Sequence, residues 1–319
     1  MHVVPLDHFV SQVYLKNFYS PSLAGLMYAI RKNDLNSFTP NAQSICRIED
    51  GNTNSYLRED REVEEFLKCI EPKYNPTLKQ IGEGHIDNDC IYTVAGFVSY
   101  VLVCSPAGIR IFSPPLKSSL EECARILDKQ GVISKPPPGL GGKNLTELLD
   151  DGKVVIKVDP KYSQALGIGN IMELITTFGN FRWEVLLNPF DDSAFFTSDF
   201  PIAFEMGSHS SIRNKIIPLS PNLAIRICPD PFRDKAQKDL SFSNFEYSRR
   251  KLNRKEVHLI NKLIVRCAES VVFYRDNHDW VSRFVSKNSK FRIETQIEKV
   301  PRNSGTLSVA TQNVMKLRT

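Results

Sequence analysis

The feature that most constrains the fold is a nearly uninterrupted apolar run at residues 91–103. A helix that is apolar on every side must be buried on every side. The run is too short to cross a bilayer, which takes about 20 residues. We therefore predict a central core helix, in which the small residues Ala95, Gly96 and Ser99 allow a neighbouring element to approach closely.

A second helix is predicted at residues 59–80, with Pro76 expected to kink or split it. Its buried face follows the spacing i, i+3, i+4, i+7 at Val63, Phe66, Leu67 and Ile70. Glu64 and Glu71 border that face, and their α-carbons are about 10 Å apart. This distance is too long for both carboxylates to hold one ion unaided, so any joint role runs through a substrate or a third residue. Border glutamates are also commonly solvated, and that alternative stays open.

Most predicted strands lie in the second half of the chain, at residues 153–158, 181–187, 194–198, 215–219, 223–228 and 271–274. Short turns between strands favour antiparallel pairing. We predict an α+β fold in which a helical first half packs against a largely antiparallel sheet formed mainly by the second half. Two proline clusters bracket a predicted helix at residues 120–130.

A single globular domain is predicted for residues 1–300, with one candidate internal boundary near residues 131–152. Residues 136–142 read Pro-Pro-Pro-Gly-Leu-Gly-Gly, which is typical of a linker or mobile loop. Residues 301–319 are predicted to be a flexible tail.

A titratable histidine stands just ahead of a short apolar helix near the start of the chain. Ser11 is a suitable N-cap, and Tyr14 and Phe18 fall on one helical face. The positive end of the helix dipole favours a neutral imidazole at His8, which suits a general base or a ligand, with Gln12 beside it as a binding residue. The alternative is that His8 only fixes the chain by bonding to a backbone carbonyl.

The pattern His-x-x-x-x-x-Tyr-Leu-x-x-Phe from His8 to Phe18, followed by a strand-like stretch at residues 26–32, resembles the opening of the bacterial domain-of-unknown-function family 4238. Later stretches agree with it in order: Val63-Glu64 with Ile70-Glu71, then residues 197–201, 218–221 and 257–261. The family usually has proline in place of Ser11 and arginine in place of Cys104. The second departure counts against a charge-binding role at that point. The family name implies no activity.

Two further polar side chains stand at suggestive positions. Asp199 follows a predicted strand beside the hydroxyl of Ser198, where binding groups are often held by a rigid scaffold. The alternative is a turn in which Asp199 accepts from nearby amides. Asn261 borders the buried face of a helix, so its amide must find a partner, and Asp199 or the His8 region are the candidates.

Composition sets outer limits on the function. The 319 residues are 41% hydrophobic and 24% charged, with a net charge of +5, which permits nucleic-acid binding without requiring it. Residues 249–255 carry five positive charges in seven positions, which suits phosphate contacts or a solvated run before a helix. The seven cysteines show no zinc or disulfide spacing. We expect a soluble, cytoplasmic protein without a membrane segment.

No Ser-His-Asp order, HExxH motif or nucleotide-binding loop can be recognised. The best enzyme hypothesis combines His8 as acid or base, Asp199 as its orienting carboxylate or a metal ligand, and Asn261 as an amide anchor. It predicts acid/base or divalent-metal-assisted hydrolysis of a phosphodiester, as in a nuclease-like effector. The rival hypothesis is a non-catalytic interaction or ligand-sensing protein in which these residues are structural.

Overall fold

The predicted core helix lies within a longer helix, Asn88–Cys104, in the computed structural model, which describes residues 4–134, 136–207, 209, 212–230, 239–302 and 305–317. The helices are α1 (Gln12–Leu15), α2 (Glu62–Glu83), α3 (Asn88–Cys104), α4 (Pro106–Lys129), α5 (Leu145–Asp150), α6 (Pro160–Gly169), α7 (Ile171–Gly179), α8 (Arg254–Cys267) and α9 (Asp279–Asn288). The strands are β1 (Leu6–His8), β2 (Tyr28–Arg31), β3 (Ser37–Phe38), β4 (Arg47–Glu49), β5 (Arg182–Leu187), β6 (Thr197–Ser198), β7 (Ala203–Met206), β8 (Arg213–Ser220), β9 (Leu223–Cys228), β10 (Glu246–Lys251), β11 (Val271–Tyr274), β12 (Phe291–Arg302) and β13 (Gly305–Lys316).

Helix α3 is the centre of the helical part of the fold. It packs against α2, α4, α6 and α7, so apolar side chains are required around its whole circumference. A β-carbon added at Gly96 would lie 2.3 Å from Ile70 Cδ1 on α2. The absence of a side chain at Gly96 therefore allows α2 to approach closely, as the sequence predicts.

Two helices continue through proline residues that were expected to interrupt them. Helix α2 includes Pro76, and α4 begins at Pro106 and continues through Pro114 and Pro115, so the predicted helix at residues 120–130 is only its second half. A proline leaves the carbonyl four residues earlier without its helical partner. For Pro115 that carbonyl is Ile111 O, which accepts from Thr295 Oγ1 at 2.5 Å.

The α+β prediction is confirmed, with several mostly antiparallel sheets in place of one. The larger sheet has the order β10-β5-β9-β8-β7, in which only the β10-β5 pairing is parallel among those described. The second has the order β3-β2-β11-β6, so strands of the first half pair with a strand near the end of the chain. Residues 153–158, predicted as a strand, form none.

The stretch predicted as a flexible tail contains strand β13 in the residues described there. Strand β13 pairs antiparallel with β12 in a long hairpin, in register from Phe291 opposite Lys316. Apolar contacts hold the hairpin on the domain, since Ile293 is fully buried and Val314 packs against the core. Arg213 Nε also donates to Gln312 O at 3.0 Å. Long-range anchoring of this kind leaves little trace in the local sequence.

The stretch at residues 131–152 contains a 3-10 turn and α5. Helix α5 is joined to the end of α4, because Thr146 donates to Asp128 Oδ2 through both its backbone amide (2.9 Å) and its hydroxyl (2.6 Å). No helix in the described part of the chain is by itself long and apolar enough to cross a membrane. Only α2 and α3 taken together, bent by 118°, meet that test.

Candidate functional site

Helix α1 is the anchor on which the first group of polar residues is built. Ser11 caps it by accepting from Val13 N at 3.2 Å, as predicted. The Tyr14 ring stacks on Phe97 with centroids 4.7 Å apart. Its hydroxyl donates to Pro218 O at 2.8 Å and lies 2.5 Å from Thr197 Oγ1. These contacts fix α1 between the core helix and the strands of the second half.

His8 lies at the end of β1 and is half-buried. Its Nε2 is 3.2 Å from Gln43 O, and because a carbonyl can only accept, this bond assigns the ring proton to Nε2. Nδ1 is then the acceptor and faces the Gln12 amide at 3.5 Å. The backbone-carbonyl bond expected if His8 is structural is thus present at Nε2. Nδ1 instead faces the side chain of Gln12, on the first turn of α1.

Glu71 and Glu64 extend this site along one face of α2. Ser11 Oγ donates to Glu71 Oε1 at 2.6 Å. Since Ser11 and Gln12 are adjacent, Glu71 and His8 both contact the first turn of α1. Glu64 accepts from Asn52 Nδ2 at 2.6 Å and is half-buried. We call His8, Gln12, Glu64 and Glu71 the N-terminal polar cluster.

A buried network supports this cluster from below. Asp7 accepts two bonds from Arg61, at 2.8 and 3.3 Å, and one from Asn52 N at 3.0 Å. Burial opposes ionisation of Asp7, but Arg61 and the Asn52 amide outweigh it and hold the pKa of Asp7 below its usual value. Tyr100 donates to His8 O and lies 3.2 Å from Asn52 Oδ1. The single Tyr100 proton goes to His8 O, which fixes the backbone at His8, and the same hydroxyl lies beside the residue that bonds Glu64.

Helix α6 holds the loop that carries Asn52. Lys161 Nζ donates to Asp50 O (2.5 Å) and Thr53 O (2.8 Å), and Gln164 Nε2 donates to Gly51 O (2.8 Å). Sequence reasoning missed these supporting residues. For Arg61 a signal exists, because it precedes Glu64 by three residues on the same helix. For the loop contacts there is none, since they join segments more than a hundred residues apart.

The second group of predicted residues surrounds Asp199, which is 7% exposed. Its carboxylate accepts from the consecutive amides of Glu269 (3.0 Å), Ser270 (2.7 Å) and Val271 (3.1 Å). Burial raises the pKa of Asp199 to about 7, against the opposing effects of the Ser270 amide and the Lys32 charge. The Ser198 hydroxyl is used locally, donating to Phe200 O at 2.7 Å.

Lys32 also belongs to this second group, because it bonds to the loop between α8 and β11. Its amine donates to Ala268 O at 2.5 Å and to Phe291 O at 2.8 Å. Burial lowers the pKa of Lys32 to about 8, although the Asp199 carboxylate acts in the other direction. Asp199 and Lys32 thus bind the amides and the carbonyls of one connection, between α8 and β11.

Asn261 is 1% exposed and its amide is fully used. Oδ1 accepts from Phe196 N and Nδ2 donates to Ala194 O, both at 2.9 Å. The partner is therefore another segment, as expected, but it is the strand segment just before Asp199 and not the Asp199 or His8 side chain.

The predicted site residues consequently form two groups. His8 and Glu71 bond to neighbouring residues of α1, and Glu64 is linked to His8 through Asn52 and Tyr100, whereas Ser198, Asp199 and Asn261 bond to main-chain groups of the second half. No hydrogen bond among those of the described residues joins His8 to Asp199 or Asn261. Those residues also include no group of three or more His, Cys, Asp or Glu side chains arranged to hold a metal ion.

The basic run at residues 249–255 lies on β10 and the start of α8, and several of its charges have partners. Arg250 pairs with Glu256 at 2.5 Å and Arg254 with Asp192 at 2.7 Å, while Arg249 donates to Gly82 O. Compensated charges of this kind attract phosphates weakly. The net positive charge that this run presents is thus smaller than its five basic residues indicate.

Comparison with known proteins gives one match. A family model described as "Protein of unknown function (DUF4238)" matches residues 7–98 and 116–278, which include both groups of polar residues. The C-terminal hairpin lies beyond the matched residues. No curated protein and no solved structure matches the chain.

Proposed function

The chain belongs to the DUF4238 family of proteins of unknown function, and we propose that it is a phosphodiester hydrolase whose acid and base groups lie in the N-terminal polar cluster. The observation that carries this proposal is the joint attachment of His8 and Glu71 to the first turn of α1, with Ser11 holding Glu71 and the buried Tyr100 hydroxyl holding the backbone of His8. Catalytic side chains must be held in place by their surroundings before substrate arrives.

His8 is the general base in this proposal. With the proton on Nε2 held by Gln43 O, Nδ1 is the acceptor of the ring, and it takes a proton from the attacking water when that water replaces the 3.5 Å contact with the Gln12 amide. The water attacks phosphorus, and the imidazolium returns the proton to the leaving oxygen. Glu71 orients the water through its second oxygen, since Oε1 is occupied by Ser11.

One arginine beside His8 supplies positive charge for a phosphodiester. Arg47 is exposed and lies opposite His8 in the pairing of β1 with β4. Arg61 is not counted as a substrate contact, because its guanidinium pairs with Asp7 and Glu64. Guanidinium groups bind phosphate oxygens in pairs, which favours a phosphodiester over a neutral ester.

We further propose that the substrate is a nucleic acid and that the protein works in the cytoplasm of a bacterium. The mild net charge of +5 supports a polyanionic substrate. All seven cysteines are free thiols, which suits a reducing compartment.

The proposal is tested with bis(4-nitrophenyl) phosphate, single-stranded RNA and single-stranded DNA as substrates. We expect hydrolysis of at least one of them, and a fall in kcat of about 100-fold in His8→Gln, because a positioned general base typically contributes that much. His85→Gln is the matched control, since His85 is exposed in the turn between α2 and α3. Failure of all three substrates to react, or a His8→Gln variant with the parent's rate, contradicts the proposal.

The alternative is a non-catalytic interaction protein. One observation favours it: the side chains of Asp199 and Asn261 are hydrogen-bonded to main-chain groups. Under this alternative His8→Gln lowers the melting temperature by several degrees and changes no rate.

A further inference from the structure

A cleft of about 550 Å³ opens beside the connection that Asp199 and Lys32 hold, and Lys32 is one of the residues that line it. It lies between the end of β2, the α8–β11 connection, the end of α9 and the start of β12. Small-molecule sites typically measure about 300 to 1,000 Å³. The cleft therefore has room for a compact ligand, and none of the residues proposed for hydrolysis lines it.

The charge around this cleft is positive. Arg31 and Lys290 line it and are exposed, and neither forms an ion pair with any carboxylate in the described ranges of the chain. Glu269 also lines it, but Arg110 binds both its oxygens, at 2.6 and 3.0 Å, and compensates its charge. Two uncompensated cations remain beside one neutralised carboxylate, which selects for an anionic group.

The cleft also has an apolar part. Val271, Phe291 and Leu317 are among its lining residues, and the guanidinium of Arg266 lies 3.9 Å from the Phe291 ring centroid and fixes that ring. Apolar surface next to a few convergent polar groups is the usual composition of a small-molecule site. It would accept the hydrocarbon or aromatic body of a ligand.

One wall of the cleft is preorganised by buried bonds. Asp199 binds the amides of Glu269, Ser270 and Val271, while Lys32, which also lines the cleft, spends its amine on Ala268 O and Phe291 O. A wall that is ordered before binding costs little conformational entropy when a ligand arrives. Asp199 is thus a positioning residue for this cleft.

We propose that the cleft binds a small organic anion, with a carboxylate or phosphate held between Arg31 and Lys290 and an apolar body against Val271, Phe291 and Leu317. The site is separate from the N-terminal polar cluster and needs no hydrolytic activity. It assigns a role to two cations that have no ionic partner in the described structure.

The probe is 8-anilinonaphthalene-1-sulfonate, an aromatic anion whose fluorescence rises in apolar surroundings. We expect saturable binding to the full chain, displaced by phenyl phosphate or phenylacetate, and the stronger competitor identifies the anionic group. Arg31→Gln with Lys290→Gln should weaken binding at least about tenfold, because charge-assisted bonds are lost. The neutral analogue N-phenyl-1-naphthylamine should bind weakly to parent and variant alike.

The matched control is Arg283→Gln with Lys287→Gln, which removes the same charge from exposed positions of α9 that do not line the cleft. It should bind the probe like the parent. Equal weakening in both double variants, unchanged affinity in Arg31→Gln/Lys290→Gln, or absence of saturable binding overturns the proposal.

Discussion

At the scale of single residues, Asp199 stands at the end of a strand as predicted, but its carboxylate bonds to the amides of a distant loop. The sequence places a carboxylate at a strand end, and the turn alternative assigns it local amides as partners. The structure supplies amides from residues 269–271, about seventy positions away. A carboxylate that accepts from three amides is a rigid tie, and its partners cannot be identified from neighbouring sequence.

Asp199→Asn tests this tie. The Asn side chain offers one acceptor in place of two, and its NH₂ group would face an amide donor while Lys32 loses its counter-charge. We expect a loss of about 3 to 5 kcal/mol in the free energy of unfolding, measured by urea denaturation. Asp60→Asn, at an exposed position, is the control and should change stability by less than about 0.5 kcal/mol. An equally small effect at Asp199 would disprove the tie.

Lys215 is a second residue whose charge is held at a cost. Its amine lies 5.1 Å from the Phe178 ring centroid and 5.4 Å from that of Phe204, the residue opposite it in β7. Burial alone lowers the pKa of Lys215 to about 8.

Lys215→Met should stabilise the protein at pH 7, by on the order of 1 to 3 kcal/mol. The pKa of Lys215 is lower in the folded than in the unfolded protein. Below about pH 8 Lys215 is charged in both states, so its buried charge lowers the free energy of unfolding of the parent by the full amount. That cost falls as the pH rises toward 10.5. Denaturation curves at pH 7 and pH 9.5 should show the advantage of the variant shrinking. An advantage that is absent at pH 7, or that grows with pH, would count against this account.

At the scale of elements, the apolar helix and the capped α1 follow from local pattern, whereas the proline-containing helices and the hairpin do not. Pro114 and Pro115 predict a break, yet α4 continues because Thr295 supplies the donor that Ile111 O lacks. A bond from strand β12 thus compensates the carbonyl that the proline leaves unpaired in helix α4. Neither could be predicted alone, since the compensating contact is 184 positions away.

Thr295→Val tests this pairing of elements. Removing the hydroxyl leaves Ile111 O without a partner, which should cost about 1 to 3 kcal/mol in thermal or urea unfolding. Thr295→Ser keeps the hydroxyl and should retain most of the stability. If the Val and Ser variants are equally stable, the bond does not support α4.

At the scale of the whole molecule, the α+β class could be predicted, but the spatial grouping of polar residues could not. The sequence combines His8, Asp199 and Asn261 into one site because each stands at the end or edge of an element. The hydrogen bonds divide them instead: among the described residues none joins His8 to Asp199 or Asn261, and α1 reaches the second group only through Tyr14, which contacts Thr197 two positions before Asp199. Four predicted residues, His8, Gln12, Glu64 and Glu71, nevertheless come together because short segments at the start of the chain pack on α2 and α3.

The division into a reactive group and a structural group is the central claim, and one measurement tests it most directly. That measurement is the rate of phosphodiester hydrolysis per folded molecule, determined for His8→Gln and Asp199→Asn after correction for the folded fraction. We predict a rate about 100-fold below the parent for His8→Gln with unchanged stability, and a rate near the parent's for Asp199→Asn with reduced stability. A full rate in His8→Gln, or a rate that falls in Asp199→Asn while stability is retained, would contradict it.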